Sequence, residues 1–179
     1  MVAKYLRRAV ADPSDDEARA QMMLAASYAG VGFGNAGVHL PHGMSYPVSG
    51  LVREYNAPGY DADHPLVPHG VSVILNAPAV FRYTACTSPD RHLKAAEALG
   101  TDISRIKADD AGEVLAQQII DLMQDLRMPN GLRALGYLPA DIEALVAGTL
   151  PQHRVTKLSP RPANAEELAG IFESSMVIW

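Results

Sequence analysis

One cysteine, Cys86, stands alone among 179 residues. A lone thiol excludes an internal disulfide framework and fits a reducing compartment. With no second thiol near Thr84-Ala85-Cys86-Thr87, it is expected to be a small buried hydrophobe, as free cysteines commonly are. Long apolar runs are also missing, because polar residues or proline interrupt every such stretch. That leaves no candidate for a membrane-spanning helix. The opening MVAKYLRRAVADPSDDEAR turns acidic directly after its basic residues and lacks the apolar core of a secretory leader. Basic excess is absent too: the net charge is −5 and no Lys/Arg run occurs, which argues against nucleic-acid or anionic-membrane partners. The chain reads as cytoplasmic, with the mitochondrial matrix as the counterpart in a eukaryotic source. Internal repeats, low-complexity tracts and convincing strands are likewise lacking.

What is present is ordinary globular material, 48% hydrophobic and 20% charged. Its patterning is almost all helical. Asp12-Pro13-Ser14-Asp15-Asp16 is a turn that places acids where a helix N-terminus favours them. A helix is expected from Glu17 to Ala29, with Ala18, Met22, Ala25, Ala26 and Ala29 on one face. Gly30, Gly32, Gly34 and Gly37 should then break the chain between helices and allow close backbone contact. Gly32 to Gly37 fits G-x-G-x-x-G, but helical sequence precedes it where the phosphate-binding fingerprint requires a strand. A second helix is expected from Asn35 to Leu51, a loop from Arg53 to Leu66, and a buried helix from Val71 to Phe81 that Pro78 bends or ends. Further helices are expected over Asp90–Leu99, about Asp109–Leu126 and Asp141–Gly148. Asn164 and Glu167 form a capping-box pair at the start of the last one.

Chemistry concentrates between Ala36 and Val73. His39, His42, His64 and His69, four of the six histidines, lie there, two of them in Pro-His-Gly contexts (Pro41-His42-Gly43 and Pro68-His69-Gly70). Neutral imidazole is the commonest transition-metal ligand, and helical bundles build metal sites from ligands on facing elements. His42 and His69 are therefore the candidate metal ligands. His39, expected on the same helix face as His42 and Tyr46, is a third candidate; packing or a hydrogen bond behind a ligand is the favoured role. His64 should be exposed or loop-ordering, and His92 and His153 should lie on the surface.

The segments NAGVHLPHGMSYPVSGLVREY, DHPLVPHGVSV, the PAVFRYTA run, GTLPQHRVTKLSPRP and EELAGIFESSM resemble, in order, the metal-binding part of the group III, iron-containing alcohol dehydrogenases. Within that family they are most similar to the branch of hydroxyacid-oxoacid transhydrogenases. The resemblance covers essentially the whole chain. It implies an all-α helical bundle like the C-terminal metal-binding domain of the dehydroquinate synthase-like fold, spanning 1–179 as one domain.

By the same resemblance His42 and His69 are ligands of Fe(II), with zinc the alternative. Tyr46 stands where many members of the family carry another histidine near the nicotinamide, which implies a catalytic role in orienting substrate or relaying a proton. The family's glycine-rich α/β nucleotide domain, which holds NAD(H) and supplies an Asp and a His ligand, has no counterpart here. The chain is accordingly expected to be a fragment or one half of a split enzyme, inactive by itself, with homo-oligomerisation open. No cofactor-contacting residue is assigned. The implied reaction passes hydride from a hydroxy acid such as 4-hydroxybutyrate to a 2-oxo acid such as 2-oxoglutarate. The alternatives are an alcohol dehydrogenase, a maleylacetate-reductase-like domain and a catalytically inactive helical module. Arg53, opening the segment between the two Pro-His-Gly sites, is the candidate anchor for a substrate carboxylate, because guanidinium pairs bidentately with carboxylates.

Overall fold

The computed structural model describes all residues, 1–179. Ten α-helices carry the fold: α1 (Val2–Ala11), α2 (Asp16–Ala36), α3 (Leu40–Gly50), α4 (His69–Ile74), α5 (Ala77–Thr84), α6 (Pro89–Ala98), α7 (Ala111–Asp125), α8 (Ile142–Thr149), α9 (His153–Thr156) and α10 (Ala165–Met176). The one β-type contact is a single bridge between Asn56 and Leu66 in the long α3–α4 connection.

The core forms where helices with one apolar stripe meet. Leu40, Met44 and Val48 recur every fourth residue of α3 and are fully buried, as the helical repeat requires of a face turned inward. They join Leu75, Val80 of α5, Met123 of α7, Leu145 of α8, and Leu168 and Phe172 of α10 in one cluster. Around this cluster α3 packs on α4, α8 and α9, α5 packs on α7, and α10 packs on α5 and α8. The capping box is formed in full. Asn164 accepts from the Glu167 backbone N–H and Glu167 accepts from that of Asn164, both at 2.9 Å.

Three boundaries differ from the sequence expectation. The glycine run does not break the chain: α2 continues through Gly30, Gly32 and Gly34 and ends only where Gly37 adopts φ +76°. Each glycine costs a helix roughly 1 kcal/mol, but a formed helix gains a hydrogen bond per added residue, and the interleaved Val31 and Phe33 continue it. No close contact awaits these three glycines within the chain, since a Cβ on any of them would meet nothing within 4 Å. Consequently α3 starts at Leu40, and His39 is its N-cap rather than a member of its face.

The apolar run from Val71 splits into α4 and α5 at Leu75–Asn76, ahead of Pro78. Proline lacks the N–H that a continuous helix would use but is tolerated in a first turn, which is where Pro78 sits in α5. The Asn76 side chain completes the break by donating to the Ser72 carbonyl at 2.8 Å. The basic N-terminus also forms a helix, α1. It is tied to the start of α2 by Arg8, which reaches Asp15 at 2.9 Å and Glu17 at 2.7 Å.

Candidate metal centre

Pro41-His42-Gly43-Met44-Ser45 and Pro68-His69-Gly70-Val71-Ser72 build two matching corners. Each histidine stands in the first turn of its helix, His42 on α3 and His69 on α4. Three residues later a buried serine hydroxyl donates back to the histidine's carbonyl, Ser45 to His42 at 2.7 Å and Ser72 to His69 at 2.8 Å. The shared motif is thus Pro-His-Gly-x-Ser. The two serines escaped the sequence reading, although the repeat signals them.

The corners bring the two imidazoles together, with ring centroids 5.3 Å apart and planes tilted by 59°. Burial, reinforced by the neighbouring His69, holds the His42 imidazole below its ordinary pKa, which favours the neutral, lone-pair-bearing form. At metal–nitrogen bonds of about 2 Å, two rings so close can address one ion. The two imidazoles are donors of a kind that suits a transition metal but are too few for a complete site: no group of three or more His, Cys, Asp or Glu residues converges anywhere in the chain, whereas such sites ordinarily have three or four protein ligands.

The helix bearing His42 is fixed from two directions. At its far end the buried Tyr137 hydroxyl donates to the Val48 carbonyl at 2.7 Å. Near its start α9 lies directly against Gly43. A Cβ there would come within 2.5 Å of Thr156 Cγ2 and 3.5 Å of Val155 Cγ2. Glycine after His42 therefore permits a contact that any larger residue would obstruct. Tyr46, one turn beyond His42 and 36% exposed, has its hydroxyl engaged by Arg154 of α9 at 2.9 Å.

The remaining candidates are placed elsewhere. His39 makes no hydrogen bond to either histidine of the pair. Its Nδ1 is buried without a partner, and its ring lines a separate groove of about 940 Å³ together with His92, Phe81 and Tyr28. His92, expected at the surface, is buried and bridges Thr84 Oγ1 and the Ser88 carbonyl, both at 2.9 Å. Two local polar partners pull it inward, a signal that charge patterning does not carry. Cys86, expected to be buried, is exposed, because Ala85 takes the inward position of that short turn. His64 is exposed and pairs with Asp63 at 2.8 Å, and His153 is exposed. Arg53 finds a carboxylate inside the chain: both terminal nitrogens grip Asp141 at 3.0 and 2.8 Å. Substrate could use that fork only by displacing Asp141.

The model of the Fe-containing alcohol dehydrogenase family, C-terminal, matches residues 1–176. Hydroxyacid-oxoacid transhydrogenase, mitochondrial, of Xenopus tropicalis is 60% identical over 179 residues, covering all of this chain and 39% of that protein. The Homo sapiens protein of the same name is 58% identical over the same length, covering 38% of that protein. Among solved structures, that of 1,3-propanediol oxidoreductase superposes with a TM-score of 0.84 at 32% identity, over 97% of this chain and 42% of that one. The chain therefore spans about two-fifths of the length of the proteins it matches. No helix is long and apolar enough to cross a membrane. The all-helical fold, the converging histidines and the match over nearly every residue lead to one assignment: the chain belongs to the Fe-containing alcohol dehydrogenase family, as its C-terminal region.

Proposed function

We propose that this chain supplies the helical, metal-holding part of a hydroxyacid-oxoacid transhydrogenase, forming a single domain over 1–179. The observation that carries the reading is the convergence of His42 and His69, and the identity to the transhydrogenases over the full chain supports it. In this reading both imidazoles hold Fe(II), or zinc, with the remaining ligands and the NAD(H) site contributed by sequence outside this chain. Such an ion supplies Lewis acidity, which lowers the pKa of a hydroxyl group.

The chain's own residues do the rest. Ser45 and Ser72 fix the two corners, and Gly43 and Tyr137 lock α3. The Tyr46 hydroxyl, on the residue one turn beyond His42, orients substrate or relays the proton released as the hydroxyl becomes a carbonyl. A nicotinamide cofactor held by sequence outside this chain would carry hydride between a hydroxy acid such as 4-hydroxybutyrate and a 2-oxo acid such as 2-oxoglutarate. The matching relatives are mitochondrial by name, and a eukaryotic source would place this chain in the matrix, a bacterial one in the cytoplasm.

The test uses the protein at its natural length. It is given 4-hydroxybutyrate deuterated at the hydroxyl-bearing carbon, together with 2-oxoglutarate and no added nicotinamide cofactor. The proposal expects deuterium at C2 of the 2-hydroxyglutarate formed. Oxidation of simple alcohols that depends on added NAD, without transfer between the acids, would replace it with an alcohol dehydrogenase. Reduction of maleylacetate in place of transfer would point to that reductase branch.

A further inference from the structure

The arginines of this chain fall into two groups. Arg7, Arg8, Arg53, Arg82 and Arg161 each have a carboxylate within 4 Å. Arg154 has none, although its side chain is fixed: Nη2 donates to the Tyr46 hydroxyl at 2.9 Å. The tyrosine hydroxyl takes one of the guanidinium's five N–H donors and supplies no carboxylate to balance its charge. The group is exposed, so this arrangement escapes the penalty of a buried unpaired ion, and the remaining donors face solvent.

Its position is set by the fold. Arg154 belongs to α9, and the adjacent Val155 and Thr156 rest against Gly43, the residue after His42. Tyr46 follows His42 by one turn, and helical side chains lean toward the N-terminus of their helix, so the Tyr46 ring covers the turn that carries His42. Two independent contacts, one through Gly43 and one through Tyr46, thus hold Arg154 over the same turn of α3 as the candidate metal ligand.

We propose that Arg154 is the specificity-determining residue that binds the substrate carboxylate, and that Tyr46 is the positioning residue that orients its guanidinium. The inference rests on the proposed hydroxy-acid reaction. Donor and acceptor acids of that reaction share one feature beyond the reacting carbon, a carboxylate, and one fixed cation serves both in turn. A guanidinium suits this task because its planar fork donates two parallel hydrogen bonds to a carboxylate. Arg53, whose fork already holds Asp141, is the less available of the two.

The experiment compares kcat/KM for 4-hydroxybutyrate with that for butane-1,4-diol, which replaces the carboxylate by a hydroxymethyl group, in the protein at its natural length. Arg154→Gln should lower the acid-to-diol ratio by on the order of ten- to a hundredfold, the range of a charge-assisted hydrogen bond. Arg154→Lys, which keeps the charge and the stem but not the fork, should recover part of the ratio and keeps the test open should the glutamine variant unfold. Tyr46→Phe should lower the ratio by a smaller factor. Arg105→Gln, an equal change of charge at an exposed site, should leave the ratio alone. An unchanged ratio in a folded Arg154→Gln protein overturns the inference, and so does a loss produced by Arg53→Gln but not by Arg154→Gln. Failure of the unmodified protein to use any hydroxy acid instead overturns the proposed function, and this inference with it.

Discussion

Helices α2 and α10 are both rich in apolar residues, yet the fold treats them in opposite ways. In α10, Leu168, Ile171, Phe172, Ser175 and Met176 fall at helical spacing and are all buried. In the 21 residues of α2 only Ala18 is buried, while Met23, Leu24, Tyr28, Val31 and Phe33 are exposed. The difference lies in the arrangement of the apolar groups. Those of α10 form one stripe that the α5–α8 surface can cover. Those of α2 surround the helix, and within this chain its main partner is α1. Apolar content therefore states that a helix can be buried, and only its angular distribution and its neighbours state whether it is. The two histidine corners sit on the well-packed side, since Met44 of α3 and Leu75 beside α4 both belong to the core cluster.

The sharpest way to break this contrast is Phe172→Ala. The ring is fully buried at the centre of the cluster, so its loss should cost about 3–5 kcal/mol, read as a lowered urea midpoint. Tyr137→Phe should come next, at about 1–2 kcal/mol, because it removes a buried hydrogen bond and leaves the Val48 carbonyl without it. Burial pushes the Tyr137 hydroxyl up to about 12. Its native pKa thus lies above its unfolded value near 10. The stability it contributes is intact below pH about 10 and declines as pH rises from there toward 12. Alkaline melts should accordingly show a steeper loss in the native protein than in the phenylalanine variant, and parallel losses would contradict the assignment. Smallest is Phe33→Ser. At 58% exposure it should change stability by less than about 0.5 kcal/mol while lowering hydrophobic-dye binding and self-association. A cost comparable to that of Phe172→Ala would show that α2 is packed after all.

Legibility in the sequence followed the same division. Features written in local chemistry were readable: the Asn164–Glu167 capping box, the α7 face through Ala111 and Leu115, and the two Pro-His-Gly motifs whose rings the fold brings to 5.3 Å. Features decided by competition between local and tertiary terms were not. Glycine spacing predicted a break that helix propagation overrode in α2. Pro78 marked the right neighbourhood, but the Asn76–Ser72 bond set the actual break. His92 looked like a surface residue until Thr84 and Ser88 offered it two partners. Arg154 in Gln152-His153-Arg154 carried no local sign of its role, because its contact with Tyr46 spans more than a hundred residues.

The central claim, that His42 and His69 form one metal-holding pair, is tested most directly by isothermal titration of the chain with zinc, alongside His42→Ala, His69→Ala and the double variant. The account predicts one saturable site per chain, lost in each single variant with the helical circular-dichroism signal retained. Absence of binding in the unmodified chain, or a site that persists in the double variant, would contradict it.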